Sequence, residues 1–400
     1  MNKTLTLLIC CLLSINTFPQ IGPEITSWII NNSGATGYNN IPSNVQLVQY
    51  STNNVYVSAT CIPSYNIGPW PGNPNTPVNQ NFVYKITRNP VQNTGTPVNI
   101  GLGHIGVWIN GVSIFNASDG QSYNNQGVWN RNAYYWEGPS FDNCLGHPAP
   151  NGEYHHHVSP ACLYDEYDSL NHSPIIGYAF DGFPVYGAYA FENTNGTGQI
   201  KRIKSSYVLS TSTSRTNGPP VNSTYPAGCF MEDYVYTPGS GDLDNRNGRF
   251  CITPEYPLGT YAYFATLDAP MTPSFPYTFY GSYYGTVQAG NTGPNGGHNT
   301  ISEPVTIHNP TGITEHSGFA EVKLYPNPAQ DMIRLFIEPG HQNNIRLEVW
   351  DMLGKLFISQ HNVQPGVQYD ISLEKFNAGI YVLKLQSENS NSQFTFSVIN

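Results

Sequence analysis

The fold of this chain is restricted most by a series of short apolar runs. Each run ends at Pro, Gly or Asn. The first three are Val45–Val48, Val55–Cys61 and Phe82–Ile86. Runs of this length between turn residues are typical of strands, and no amphipathic helical period continues beyond a turn or two. With 38 Gly and 32 Pro in 400 residues, turns are frequent enough to connect many such strands. We therefore predict a mainly β protein, with a large irregular β domain over residues 20–305.

A hairpin is predicted between Gly101 and Asn116. In the sequence GLGHIGVWINGVSIFN the pair Asn110-Gly111 separates two apolar runs. Asn-Gly between apolar runs is the strongest short signal for a tight turn that joins antiparallel strands. This segment is therefore expected to form strand, turn and strand.

The end of the chain has a denser and more regular alternation. Ile345, Leu347 and Val349 fall on one face of a strand, while Arg346 and Glu348 fall on the other. Several further strands in this part alternate in the same way, and such a series predicts a small Ig-like β-sandwich over residues 323–400. A Gly-, Asn- and Thr-rich stretch precedes it, which predicts a linker at residues 306–322.

The first residues predict export. Lys3 is followed by the apolar run Leu5–Leu13, which has the charge and the length of a signal peptide and is too short to span a bilayer. We assign residues 1–19 to this signal peptide. No other run is as apolar, so the mature chain is expected to have no transmembrane segment.

The charge balance excludes nucleic acid as a partner. Only 10% of the residues are charged, and the formal net charge is -10. A protein that binds a phosphate backbone needs a basic face, which this composition does not supply.

The cysteines that follow the signal peptide predict two disulfides. In an oxidising compartment the nearest neighbours pair most simply, as Cys144–Cys162 and Cys229–Cys251. Cys61 is then left over, either as a buried free thiol or because this pairing is wrong.

The histidines are concentrated in one segment. Six of the 11 lie between His104 and His172. On a strand, His155 and His157 project to the same face, and two imidazoles at this spacing are able to share a transition-metal ion. His147 lies upstream across a Pro/Gly turn that would return it to the pair, and His104 is a weaker fourth candidate. The alternative is an ordinary strand surface on which the pair binds no metal.

Two further alternatives stay open at this point. Cys144, His147, His155, His157 and Cys162 would also make a zinc-finger-like ligand set if the thiols were free, although export favours the disulfide. Asp181 would either orient a ligand histidine or cap the turn that follows it.

The acidic pairs Glu232-Asp233 and Asp242-x-Asp244 are interpreted as solvated loops in preference to calcium sites. No hydrolase or phosphate-binding motif is present, so no catalytic residue is predicted.

Three motifs near the C-terminus resemble a known secretion module. They are LYPNP at Leu324–Pro328, VWDMLGK at Val349–Lys355 and FNAGIYVLKL at Phe376–Leu385. In this order they are similar to the type A sorting domain of the type IX secretion system of Bacteroidetes-type bacteria. The resemblance implies that the type IX machinery is a partner, and that the protein is secreted or held at the outer cell surface.

A second resemblance covers about residues 101–284. NGEYHHH, HSPIIGYAFDGFPVYG and GDLDNRNGRFCITPEYPLGTYAYF are similar to the YHYH domain, which is named after a Tyr-His-Tyr-His motif. The two named histidines correspond to His155 and His157, and His156 stands where the motif has its second Tyr. Tyr154 and Asp181 become candidates to support the ligands. The family implies no particular activity.

These observations predict a secreted or cell-surface protein that binds a transition metal, Cu or Zn, through His155 and His157. His147 and His104 are the further ligand candidates. The alternative is a metal-free module that binds glycan or protein through surface aromatic side chains. The candidates for that surface are Trp108, Trp129, Tyr134, Tyr135 and Trp136.

Overall fold

The computed structural model describes residues 21–308 except 294–295, and residues 322–398 except 328, 338–344, 352–354 and 388–390. The chain divides into two compact units, Met1–His308 and Asn309–Asn400. Strand accounts for 37% of the residues and helix for 6%, which confirms the prediction of a mainly β protein. The predicted signal peptide lies outside the described residues. Within the described part, none of the helices has the length and apolar character needed to cross a membrane.

The regular elements of the first unit are short. Its α-helical turns are α1 (Pro23–Thr26) and α2 (Ala133–Trp136), and 3-10 turns occupy Tyr38–Asn40, Tyr123–Asn125, Gly138–Ser140 and Met231–Asp233. Its strands are β1 (Val45–Tyr50), β2 (Asn54–Ala59), β3 (Phe82–Thr87), β4 (His104–Trp108), β5 (Ser113–Phe115), β6 (Ser118–Ser122), β7 (Asn130–Asn132), β8 (His147–Pro148), β9 (Tyr154–His156), β10 (Ile175–Ala179), β11 (Pro184–Tyr186), β12 (Tyr189–Phe191), β13 (Ile200–Arg202), β14 (Tyr207–Leu209), β15 (Tyr234–Tyr236), β16 (Gly248–Cys251), β17 (Thr260–Phe264), β18 (Leu267–Ala269), β19 (Thr272–Pro273) and β20 (Thr306–Ile307).

Two larger sheets form the framework of this unit. One has the order β20-β1-β2-β3, and the other has the order β16-β17-β11-β10-β4-β5-β9-β8. In the second sheet β5 pairs with β9, and β11 with β17, in parallel. The pairing of β20 with β1 corrects the predicted linker at its start, because Thr306 and Ile307 are hydrogen-bonded strand residues.

The eight-stranded sheet lies inside the unit. Every residue of β4, β10 and β17 is buried. Strands covered on both faces carry near-continuous apolar and aromatic residues in place of an alternation. Trp108, Tyr178 and Tyr263 are among the fully buried side chains, and with their neighbours they supply much of the apolar surface removed from water.

The predicted hairpin is present as β4 and β5. The two strands pair antiparallel, and Trp108 N–H donates to the carbonyl of Val112 at 2.8 Å. Gly111 has a φ of 80°, and a Cβ at this position would lie 2.5 Å from the Cβ of Ala59. Both the turn geometry and the close approach therefore require glycine here.

The second unit consists of two antiparallel sheets, ordered β21-β22-β25 and β24-β23-β26-β27. Its strands are β21 (Val322–Tyr325), β22 (Met332–Ile337), β23 (Ile345–Asp351), β24 (Leu356–Val363), β25 (Gln368–Ser372), β26 (Gly379–Gln386) and β27 (Asn391–Val398). The alternation predicted for β23 is confirmed, because Ile345, Leu347 and Val349 are buried. The unit is consistent with the predicted Ig-like sandwich. Pro328 and residues 352–354 of the sorting-domain motifs lie outside the described residues.

Candidate metal centre

The strand β9 and the short strand β8 bring His147 and His155 side by side. In their antiparallel pair His147 is the register partner of His155, and the turn between them is closed by the Ala149 N–H, which donates to the carbonyl of Glu153 at 2.9 Å. The predicted return of the chain across the Pro/Gly turn is therefore correct. The ring centroids of His147 and His155 are 4.6 Å apart.

Three imidazoles converge at this point. One ring nitrogen from each of His147, His155 and His157 lies within 4.8 Å of the other two, and His155 Nε2 is 3.1 Å from His157 Nε2. The three residues are 5%, 3% and 2% exposed. Because His155 and His157 are two residues apart, they project to the same face, as predicted.

The outer nitrogen of each ring is held by the protein. His155 Nδ1 is 3.0 Å from the carbonyl of Glu153, and His157 Nδ1 is 2.6 Å from the carbonyl of Asn116. A carbonyl only accepts, so both Nδ1 atoms carry the hydrogen and donate it. When these rings are neutral, each Nε2 is left with a lone pair.

The hydrogen bonds of Ser140 show in the same way which nitrogen of His147 carries the hydrogen. Its hydroxyl donates to the carbonyl of Glu137 at 2.7 Å, so at 2.8 Å it accepts from His147 Nδ1. Burial and the neighbouring imidazoles lower the pKa of His147 to about 3, and they lower the pKa of His155 well below its ordinary value. Both rings are therefore neutral at pH 7, with their lone pairs directed at one point.

Glu137 is a member of this site that the sequence did not predict. It directly follows α2, and its Oε2 lies 3.1 Å from His157 Nε2 and 3.6 Å from His147 Nε2. The only available signal was that Glu137 is the single acidic residue between Asp119 and Asp142. Sequence spacing does not predict this contact, because it depends on how α2 packs against β6 and β7.

The site forms the floor of a cleft of about 590 Å³. The walls come from several loops. They are lined by Pro71, Gly72, Asn73, Pro74, Asn75, Leu102, Gly103, Phe115, Ser118, Asp119, Gly120, Trp136, Glu137, Pro139, Ser140, His147, Pro148, Ala149, Pro150, His155 and His157. An ion bound by the histidines would therefore be accessible from one side.

His104 was predicted as a fourth ligand, and the structure does not bring it to the other three. Its Nδ1 lies 3.0 Å from Glu153 Oε1, which also accepts the hydroxyl hydrogen of Ser113 at 2.5 Å. The ring is enclosed by Phe82, with centroids 5.4 Å apart, and by two other aromatic rings. His104 is therefore paired with the buried Glu153 carboxylate and is not part of the metal centre.

Tyr154 supports the site indirectly. Its hydroxyl donates to Asp142 Oδ2 at 2.9 Å, and Asp142 Oδ1 accepts from the backbone N–H groups of Cys144 and Gly146. These bonds fix the turn that leads into His147.

His156 lies on the same face of the strand as Tyr154. It is fully buried, and among the described residues neither of its ring nitrogens has a hydrogen-bond partner. Burial lowers the pKa of His156 to about 4, so this ring is also neutral.

Asp181 does not orient a ligand histidine. It is fully buried and accepts from the Tyr263 hydroxyl at 2.7 Å and the Gly285 N–H at 2.8 Å. The Phe183 N–H also donates to it at 3.3 Å, which is the turn-capping alternative. Burial raises the pKa of Asp181 to about 6.

One predicted disulfide is confirmed and the other is wrong. Cys144 is bonded to Cys162, which removes both thiols from the zinc-finger-like ligand set. Cys229 and Cys251 are free and buried: Cys251 lies in β16, while Cys229 packs beside Arg215 Nη2 at 3.9 Å. Nearness in sequence did not predict pairing here, because the fold assigns the two cysteines to separate environments. Burial raises the pKa of the Cys229 thiol to about 11, so it stays protonated.

Cys61 is a buried free thiol, which was one of the two alternatives. Its Sγ lies 3.0 Å from the carbonyl of Tyr154 and accordingly donates to it.

The two acidic pairs, Glu232-Asp233 and Asp242-x-Asp244, also have protein partners. Asp233 Oδ1 accepts from Arg215 Nε at 2.6 Å, and Asp242 Oδ1 accepts from Lys201 Nζ at 2.6 Å. Asp233 is buried in the 3-10 turn Met231–Asp233, so the solvated-loop interpretation is wrong for this residue.

Comparison with known proteins identifies both parts of the chain. The family model described as YHYH protein matches residues 83–277, and the model described as Secretion system C-terminal sorting domain matches residues 323–399. No curated protein matches the chain. Among solved structures, the crystal structure of dimeric latent PorU from Porphyromonas gingivalis is 21% identical over 20% of this chain and 10% of that chain, with a TM-score of 0.17.

The sorting domain indicates type IX secretion to the cell surface or the extracellular space. The residues that form the candidate metal centre all lie inside the segment matched by the YHYH model. The chain therefore contains a YHYH domain followed by a C-terminal type IX sorting domain.

Proposed function

We propose that the YHYH domain binds a transition-metal ion through the Nε2 atoms of His147, His155 and His157. The observation that carries the proposal is the convergence of three buried imidazole nitrogens. Each Nδ1 donates its hydrogen to a carbonyl or hydroxyl oxygen, and two of the rings have pKa values that keep them neutral. His155 Nε2 lies 3.1 Å from His157 Nε2, and a cation at this point would accept a lone pair from all three Nε2 atoms.

The donor atoms favour copper or zinc. Imidazole nitrogen suits Zn, Cu, Fe and Ni, and among divalent ions the affinity of such sites is highest for Cu²⁺. Thiolate ligands, which would select other ions, are absent from this site because Cys144 and Cys162 are bonded to each other.

The aromatic alternative receives less support. Trp108 is fully buried in the core, so it is not available to an external ligand. The Trp136 ring is covered by the guanidinium of Arg131 at 4.3 Å, and the Tyr134 ring packs against Tyr277 at 5.4 Å. These side chains therefore do not form one exposed surface.

The experiment is a measurement of metal content on protein purified from its native compartment, by mass spectrometry. We expect stoichiometric Cu or Zn in the parent and its loss in the His155→Ala/His157→Ala variant. The matched control is His298→Ala/His308→Ala, which removes two histidines of the same unit that do not line the cleft. A parent protein without stoichiometric metal refutes the proposal, and so does equal loss in the two variants.

A further inference from the structure

Glu137 lies between the three histidines and the cleft. Its side chain is 31% exposed, whereas the side chains of His147 and His157 are 6% and 3% exposed. Within that partly exposed group, Oε2 is buried and lies 3.1 Å from His157 Nε2 and 3.6 Å from His147 Nε2. The carboxylate thus approaches the histidines from the accessible side.

The histidines and Glu137 differ in how firmly they are held. The three rings are fixed by their Nδ1 bonds and by burial. Glu137 extends from the C-terminal end of α2, a single turn that is capped at its other end by Asn132, whose side chain accepts from Tyr134 N–H at 3.1 Å. The exposed part of its side chain lines the cleft, and among the described residues no hydrogen bond to its carboxylate fixes it from that side.

Four ligand atoms converge here. The Nε2 atoms of the three rings lie close together, and Oε2 of Glu137 is 3.1 Å and 3.6 Å from two of them, so a cation bound there has four ligand atoms available. Metal sites that exchange ligands keep one position open or weakly held, whereas purely structural sites are closed by four fixed protein ligands. Three fixed imidazoles with one movable carboxylate correspond to the first kind.

We propose that Glu137 is an exchangeable fourth ligand, which holds the cleft-side position of the metal and yields it to a small donor molecule. This inference rests on the proposed metal site. The charged side chains that line the cleft are Asp119 and Glu137, with no Lys or Arg among the lining residues that the structure describes. The incoming ligand is a small oxygen or nitrogen donor, such as water, a hydroxyl group or azide.

Azide is a suitable probe, because it is an anion that gives a charge-transfer absorption band when it binds Cu²⁺. We would titrate azide into the Cu²⁺-loaded full chain, its Glu137→Ala and Glu137→Gln variants, and an Asp119→Asn control. Asp119 lines the same cleft and carries the same charge, but it pairs with Arg131 Nε at 2.8 Å. The control therefore separates loss of a ligand from loss of charge.

We expect both Glu137 variants to bind azide about tenfold or more tightly than the parent, while the Asp119 control stays within about threefold of it. The electron paramagnetic resonance spectrum of the Cu²⁺ form should also change in the Glu137 variants and not in the control. Equal azide affinity in the parent and both Glu137 variants overturns the inference, as does an equal gain in the control. Failure of the parent to bind Cu²⁺ would instead overturn the metal site itself. Glu137→Gln keeps the side-chain shape, so it gives a result even if the alanine variant does not fold.

Discussion

Removal of the Cys144–Cys162 disulfide should destabilise the first unit and weaken metal binding together. The bridge closes a loop with a sequence separation of 18, and His147, His155 and His157 all lie inside that loop. In the chain-entropy description, releasing a loop of this size costs about 3 kcal/mol, because the unfolded chain regains conformations that the bridge had removed. The Cys144→Ala/Cys162→Ala variant should therefore unfold at a clearly lower urea concentration.

Tryptophan fluorescence gives a signal that reports mainly on the first unit. Five of the six tryptophans precede residue 309, and Trp350 alone lies in the second unit. Urea unfolding of the metal-free protein would be followed in this way, and copper affinity would be measured separately by competition with a chelator. A thiol reductant should shift the parent toward the variant and leave the variant unchanged.

Two results would refute this reasoning. A loss of less than about 1 kcal/mol would mean that the loop is restrained by its hydrogen bonds and packing without help from the bridge. Unchanged copper affinity in the variant would mean that the β8–β9 pairing alone positions the histidines. An effect of reductant on the variant would show that the change does not originate in Cys144 and Cys162.

Two further predictions follow from the packing. Gly146→Ala should cost about 1–3 kcal/mol, because the new Cβ would lie 2.4 Å from the Tyr154 hydroxyl, whereas Gly138→Ala, with no atom within 4 Å, should be nearly neutral; urea midpoints that fall equally would contradict this. The raised pKa of Asp181, about 6 against an ordinary 3.8, means that its stabilising contribution is complete below pH 3.8 and is lost as the pH rises through about 6. Relative to Asp181→Asn, the parent should therefore lose about 2 kcal/mol between pH 4 and pH 7 in urea unfolding, and a pH-independent difference would refute the burial argument.

The sequence predicted the parts of the site that depend on local geometry. His155 and His157 share a face because side chains alternate along any strand, whatever the strand packs against. His147 returns to them because Pro and Gly close a short turn, and residues across a short turn become register partners. The Asn110-Gly111 hairpin was predictable for the same reason, since its turn is determined by adjacent residues.

The site predictions that were wrong or missing concern contacts between segments that are distant in sequence. His104 was a candidate ligand because it is a histidine near others in sequence. In the structure its Nδ1 is paired with the buried Glu153 carboxylate. Glu137 went unnoticed because only the packing of α2 brings it to the rings. Cys229 and Cys251 were paired by proximity along the chain, and proximity along the chain does not determine which β element each one enters.

The disulfide and the export route act on the same chemistry. As thiols, Cys144 and Cys162 would compete with His147, His155 and His157 for a soft metal ion, since they belong to the same loop. Disulfides form and persist in oxidising compartments, and the sorting domain indicates delivery to the cell surface or the extracellular space. Oxidation there removes the two sulfurs from the ligand set and at the same time restrains the loop. The ligand set that remains consists of imidazoles and one carboxylate, which is the set on which the proposals about metal binding and ligand exchange depend.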